Sequence, residues 1–416
     1  MNGIPFSEER IRRKKFFILL CGVGIFFLTS MAKVLIPATI FQDLLRLNMP
    51  VDRISALGAA FMYAYAASQL VMGCFSDRWG GVRILLIGGL LFALGTVTFP
   101  LLHNYYLMLI FRIITGFGAG TIFLGVAKLL GDLFPARFSF ALGAVLLFSY
   151  LGPTVGTVPM VKLVELISWR PAMIAPGAAA LLLLAVITML MRGTVKPVSG
   201  GQTLEPLLAM IKNKYIWSIS FASATVYGCY YSIAGQIGQK IFSDIFQLAS
   251  SRAAFCIMIL TIIVAANNMV VNLLLKLLHD RRKAVIVLGV IMSLAGAAVG
   301  YWAFGTGKWY WFMLSGVLTA FPAGFFAIFG TVAKELNPPR YMAMSVAFLN
   351  FMAFVCISLY QNITGAVLKR FAENAAVMTF PVEAYQSVYI FFAAGGTVSL
   401  LAALLTPETR DRQQQD

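Results

Sequence analysis

Gly73-Cys74-Phe75-Ser76-Asp77-Arg78-Trp79-Gly80-Gly81-Val82-Arg83 stands between two long apolar stretches, and a faded copy, Asp280-Arg281-Arg282-Lys283, returns 203 residues later (280 − 77 = 203). A second pair keeps that register: Pro135-Ala136-Arg137-Phe138 matches Pro338-Pro339-Arg340-Tyr341, again at 203. Two independent matches at one offset argue for a duplicated half.

The rest of the chain says where such halves can exist. Of 416 residues, 60% are hydrophobic and 12% charged, against roughly 25% charge in an ordinary globular domain. Mean hydropathy is +0.85. A water-facing fold cannot hide that much apolar surface, so the expected class is an all-α membrane protein. The net charge of +16 invites a nucleic-acid reading, but the basic residues fall in short clusters between apolar runs, not on one arm or face. No nucleic-acid partner is expected. The five cysteines are scattered singly, with no metal-site or disulfide spacing. The first apolar run, 16–40, lacks a small-residue cleavage site near its end and reads as a retained span.

Runs of 18 or more mostly apolar residues are spanning-helix candidates, because in lipid only a helix satisfies its own backbone. The sequence offers twelve: 16–40, 54–74, 84–102, 105–130, 138–161, 171–191, 214–241, 252–276, 284–304, 309–333, 341–368 and 384–405. A segment rich in glycine and proline between spans six and seven divides them six and six. The expected organisation is a six-helix bundle over 1–195, a linker over 196–213 and a second bundle over 214–416. With the N-terminus inside, 21 Lys and Arg fall on the cytoplasmic side and 9 opposite, leaving Lys33 and Arg112 within the membrane. This bias predicts cytoplasmic termini.

The Gly73–Arg83 segment resembles the loop signature G-x-x-x-D-R-x-G, followed by a base, between spans two and three of the major facilitator superfamily. Arg112-Ile113-Ile114-Thr115-Gly116-Phe117-Gly118-Ala119-Gly120 resembles that superfamily's fourth-span R-x-x-x-G-x-x-x-G pattern, and Leu133–Arg137 its exit from the span. The resemblance covers essentially the whole chain. It implies a twelve-helix carrier of two six-helix pseudo-repeats, working by alternating access in an inner or plasma membrane. A small-molecule substrate and the lipid bilayer are the implied partners, with a coupling proton or ion as a further one. The chain is expected to act as a monomer without cofactor, and not as an enzyme: no nucleophile–base set, paired catalytic carboxylates or nucleotide loop appears.

Lys33 four positions before Pro37, with Tyr65-x-x-x-Gln69-x-x-x-Gly73 in span two, is most similar to the organic-anion branch, in which a base of span one binds the substrate's negative charge. Two features depart from that branch. Ala32 stands where anion symporters often carry an acid, and the 203 offset from Lys33 lands on Gln236, where phosphate exchangers carry a second base. A monoanion or zwitterion is therefore favoured over a phosphate ester.

An ionisable group at membrane depth usually faces a cavity or a partner. Lys33 lies ~26 Å up its helix from Phe16 at 1.5 Å per residue, so two readings stay open: a cation facing a cavity, or an ammonium snorkelling to headgroups. Arg112 divides between gating or coupling duty and a fixed interhelical contact, while Gly116 and Gly120 let helices approach closely. Tyr227, Tyr231 and Gly235 share a face of span seven and are candidates for a polar pocket, as are Gln236 and Asn350. Asn267, Asn268, Gln361 and Asn362 are uncharged polar groups at membrane depth that serve either a cavity or interhelical hydrogen bonds. Asp77, Arg78, Arg83 and Arg137 are expected at a cytoplasmic gate, where a carboxylate beside a helix N-terminus holds the halves together. No Asp or Glu falls clearly within a span, which disfavours coupling through a buried carboxylate.

The expected substrate is a small organic anion or zwitterion. A drug or siderophore exporter is the first alternative, since Gly152-Pro153-Thr154-Val155-Gly156 resembles the antiporter G-P-x-x-G pattern. A non-transporting receptor on the same fold is the second.

Overall fold

The computed structural model describes residues 6–134, 138–191, 205–338, 341–371 and 379–409. Among them the regular structure is helical throughout. Ten helical segments are long and apolar enough to cross a membrane; one of them, span ten, breaks at Gly324–Phe325 between Trp309–Ala323 and Phe326–Glu335. The other two of the twelve spans, five and seven, are also interrupted. Span five ends its first helix, Phe138–Val155, at Gly156–Thr157 and resumes as Val158–Ile167. Pro153 and Pro159 on either side of that break each lack a backbone N–H. Span seven runs as Lys214–Ser232, a π-helical turn Ile233–Ile237 and Gly238–Asp244. With twelve spans alternating in direction, the first and last described residues, Phe6 and Thr409, lie at one end of the bundle, here called proximal; the other end is distal.

The loop expected between spans two and three is almost absent. Helix continues from Val51 to Thr98 except at Gly80, whose φ of 72° and ψ of 151° break it. That conformation is open essentially to glycine alone, which gives the glycine of the opening signature a physical reason. Spans two and four then meet backbone to backbone. A methyl group at Gly116 would collide with the Phe61 carbonyl, and one at Gly120 with the Tyr65 carbonyl and the Ser68 hydroxyl.

The linker region contains one described element, the helix Glu205–Lys212. It is docked at the start of span eleven: Tyr341 donates a 2.5 Å hydrogen bond to Glu205, and Met210 is fully buried against Ser345. Span eleven, Met342–Lys369, in turn packs along span two, so these two helices carry much of the seam between the halves.

Span one also contains a π-helical turn, Leu35–Thr39, following Phe6–Val34. Its counterpart in span seven lies 198 residues on (233 − 35 = 198). The 203 register read from the loops therefore slips by five in the first span of each half. By the turns, Lys33 corresponds to Tyr231, not Gln236.

Candidate functional site

Lys33 is held in place by how span one packs. One turn below it, the Ser30 hydroxyl meets that of Ser149 in span five at 2.5 Å. Above it, Thr39 donates to the Gly156 carbonyl at 2.6 Å, joining the π turn of span one to the break in span five. Gly152 lets span five lie against the Phe27 carbonyl. Irregular turns free a helix from strict 3.6-residue spacing and often mark functional positions. Here the turn begins two residues after the lysine.

The lysine does not snorkel. Its ammonium lies 4.3 Å from the Tyr65 ring centroid and 5.0 Å from that of Phe354, and those two centroids are 4.5 Å apart. One ring comes from span two and the other from span eleven. The cation is thus clasped between the two halves and faces a chamber of about 850 Å³, mouth included.

Both halves line the chamber. The first contributes Phe26, Lys33, Tyr65 and Phe123; the second contributes Tyr227, Tyr231, Asn350 and Phe354. Among the described residues lining it, Lys33 alone carries a charge. Of the substrate-site residues expected from sequence, Lys33, Tyr65, Tyr227, Tyr231 and Asn350 come together here. Gln69 is set back from the wall, accepting from Asn350 at 3.2 Å.

Gln236 lies elsewhere. It is 4% exposed and donates to the Ser55 hydroxyl at 2.6 Å and the Gln361 carbonyl at 3.1 Å, toward the distal end. The register slip accounts for the displacement: the residue matching Lys33 across the π turns is Tyr231, and that one does line the chamber.

Arg112 is likewise outside the chamber wall. It is 2% exposed, donates from Nε to the Leu57 carbonyl at 3.3 Å, and lies 4.6 Å from the Phe61 ring centroid. These contacts bind span four to span two. Arg83 is exposed near the proximal turn. The side chains of Asp77 and Arg78, and all of Arg137, lie outside the described residues.

Among the described residues, contacts between the halves favour the distal end. Lys369 pairs with Asp52 at 2.8 Å, Gln236 bonds Ser55, and Asn362 donates to the Tyr63 hydroxyl at 3.3 Å. The Asn350–Gln69 bond lies one turn proximal to Tyr65. Asn267 instead bonds the Phe321 carbonyl within the second half, and the side chain of Asn268 is outside the described residues.

Sequence reading missed two lining residues and one buried pair. Phe354 and Tyr230 line the chamber; Phe354 is an ordinary aromatic residue within an apolar run, and Tyr230 stands beside the candidate Tyr231 but off the face it shares with Tyr227. Lys240 and Asp244, expected near a loop, form a buried pair at 3.0 Å with side chains 2% and 4% exposed. The Tyr385 hydroxyl and the Phe380 N–H also donate to Asp244, at 2.7 and 3.2 Å. The i, i+4 spacing of Lys240 and Asp244 was the available signal.

Comparison with known proteins places this architecture. Over 136 residues the chain is 26% identical to a probable sulfoacetate transporter, SauU, of Cupriavidus necator, covering 32% of each chain. Over 198 residues it is 25% identical to the quinolone resistance protein NorA of Staphylococcus aureus, covering 45% of this chain and 48% of that one. The matches thus span a third to a half of these curated relatives. The crystal structure of the nucleoside transporter NupG superposes with a TM-score of 0.71 at 17% identity, over 94% of this chain and 98% of that one. The Major Facilitator Superfamily model matches residues 18–280, more than half the chain. With twelve spans and a NupG-like fold, the chain is an integral, multi-pass membrane protein that belongs to the Major Facilitator Superfamily.

Proposed function

We propose that this protein is a secondary active or facilitative carrier of a small organic anion or zwitterion. The observation that carries the reading is Lys33: a lone ammonium lining a chamber that both halves build, with no carboxylate among its described lining partners. A carboxylate guest supplies the missing charge, and a charge-assisted hydrogen bond there is stronger than a neutral one. The partial likeness to a probable sulfoacetate transporter supports the same class.

In this reading the halves 1–195 and 214–416 rock about the chamber. With both termini cytoplasmic, as the lysine and arginine bias favours, the contacts among Asp52, Ser55, Gln236 and Lys369 close the outer side. The protein then works in a bacterial inner membrane or a plasma membrane. Asp77, Arg78, Arg83 and Arg137 are assigned to the cytoplasmic gate. Arg112 fixes span four to span two and acts on gating through that contact.

Uptake into proteoliposomes, driven by exchange against a panel of organic anions, tests the reading. A carried anion should lose most of its flux in Lys33→Gln while the protein inserts normally. Undiminished affinity and flux in that variant would reject the charge role.

A drug-export reading has one observation in its favour: the aromatic chamber wall, together with partial likeness to NorA. The positive charge of Lys33 works against a cationic drug. Accumulation assays with lipophilic cations separate the two readings, and a protein that binds ligand but moves no tracer would be a receptor.

A further inference from the structure

The chamber that holds Lys33 is lopsided in its chemistry, and that asymmetry narrows the guest. Its charge is concentrated at one point, the ammonium, while Tyr65, Tyr227, Tyr230 and Tyr231 add uncharged hydroxyls to a largely aromatic wall. The Ser30 and Ser149 hydroxyls already bond each other, and Asn350 donates to Gln69. Around them stand rings and small apolar groups: Phe26 and Phe123, with centroids 5.5 Å apart, face into the same space as Phe354 and Phe326, and Pro153 and Ala353 fill between.

We propose that the guest is a monocarboxylate with a flat, aromatic body, its carboxylate on the Lys33 ammonium and its ring among Tyr65, Phe354, Phe26 and Phe123. The inference rests on the anion reading above and narrows it. Charge count gives the first argument. A dicarboxylate would strip water from a second anion, and an amino acid from an ammonium. Among the described lining residues no opposite charge receives either, and an unpaired ion in such a place is strongly disfavoured.

Ring chemistry gives the second argument. Tyr65 and Phe354 already present π faces 4.5 Å apart at a tilt of 57°, and a guest ring has edges and faces to match them. Aromatic pairs prefer offset or edge-to-face contact and gain beyond the area they bury, a margin worth about a two- to tenfold preference over a saturated ring of like size. The ammonium adds to this. Held by π faces and not by a carboxylate, it meets the guest without an ion pair to break first.

Purified full-length protein, titrated with benzoate, cyclohexanecarboxylate, succinate and phenylalanine while its melting temperature is followed, tests the proposal. Benzoate should bind about two- to tenfold more tightly than cyclohexanecarboxylate, and both more tightly than succinate or phenylalanine. Phe354→Leu should erase the benzoate preference yet keep carboxylate binding. The ratio on the unaltered chain answers the question even if that variant fails to fold. Lys33-dependent binding in which succinate or phenylalanine equals benzoate, or in which the saturated ring equals the aromatic one, overturns this inference and leaves the anion reading standing. If none of the carboxylates binds, or Lys33→Gln binds them as well as the parent, the anion reading itself fails.

Discussion

The Lys33 ammonium sits 4.3 Å from the Tyr65 ring centroid, with Phe354 of the opposite half completing the clasp. A cation lining the chamber is thereby held across the seam between the halves. The same three side chains that would receive a guest therefore report on how the halves are arranged.

Removing one ring of the clasp should weaken the protein. A desolvated cation–π contact contributes up to ~2 kcal/mol, so Tyr65→Leu should lower stability by about 1–2 kcal/mol. In a Lys33→Gln background the part due to the cation should vanish. A double-mutant cycle on melting temperature in detergent checks this, and a coupling energy near zero would refute the clasp.

Asp244→Asn should be far more damaging. It breaks the buried Lys240–Asp244 pair from one side, a loss of about 3–5 kcal/mol. Adding Lys240→Met to that variant should recover most of the stability, because the buried ammonium is then gone. Thermal unfolding of the single and double variants reads the difference; equal stabilities would contradict it.

The distal pair is a different case. Asp52 and Lys369 have side chains 31% and 60% exposed, and such pairs are worth only about 0.2–1 kcal/mol. Asp52→Asn should therefore shift the balance between closed and open distal ends by no more than about fivefold. Spin labels at the exposed Arg46 and Arg370 would show the longer-distance population grow, and high salt should mimic the change. An unaltered distance distribution would mean the pair does not latch.

Two glycines should respond oppositely to alanine. Gly116→Ala drives a methyl into the Phe61 carbonyl, and overpacking of this kind costs about 1–3 kcal/mol or more. Gly330 has open space where its Cβ would lie, so Gly330→Ala should be neutral or stabilise its helix by up to about 1 kcal/mol. Expression level and melting temperature distinguish them.

Asp77→Asn should impair transport while leaving insertion intact, as a gate carboxylate requires. Uptake by correctly folded Asp77→Asn protein, compared with the parent, tests that assignment; equal rates would remove it.

Much of the architecture was legible without coordinates. Twelve runs of 18 or more apolar residues have one outcome in lipid, because the backbone must bond within each run. The Gly73–Arg83 signature was readable as the boundary between spans two and three, but only the backbone showed helix running up to a single break at Gly80. Gly116 and Gly120 were readable as a close helix approach, because small residues four apart leave no side chain between two backbones. Lys33 announced itself by the cost of placing charge at that depth.

The tertiary structure decided which way the residues face. Lipid and protein interior are both apolar, so the hydrophobic periodicity that marks a buried face in water is nearly silent here. Phe354 could have met acyl chains; it meets Lys33. The five-residue slip between the π turns, which takes Gln236 out of the chamber and sets Tyr231 opposite Lys33, is a matter of backbone winding that no loop motif records. Sequence determined that a cation would lie within the membrane, because burying it demands a reason. Folding two halves around it determined which rings, and which empty space, that cation would meet.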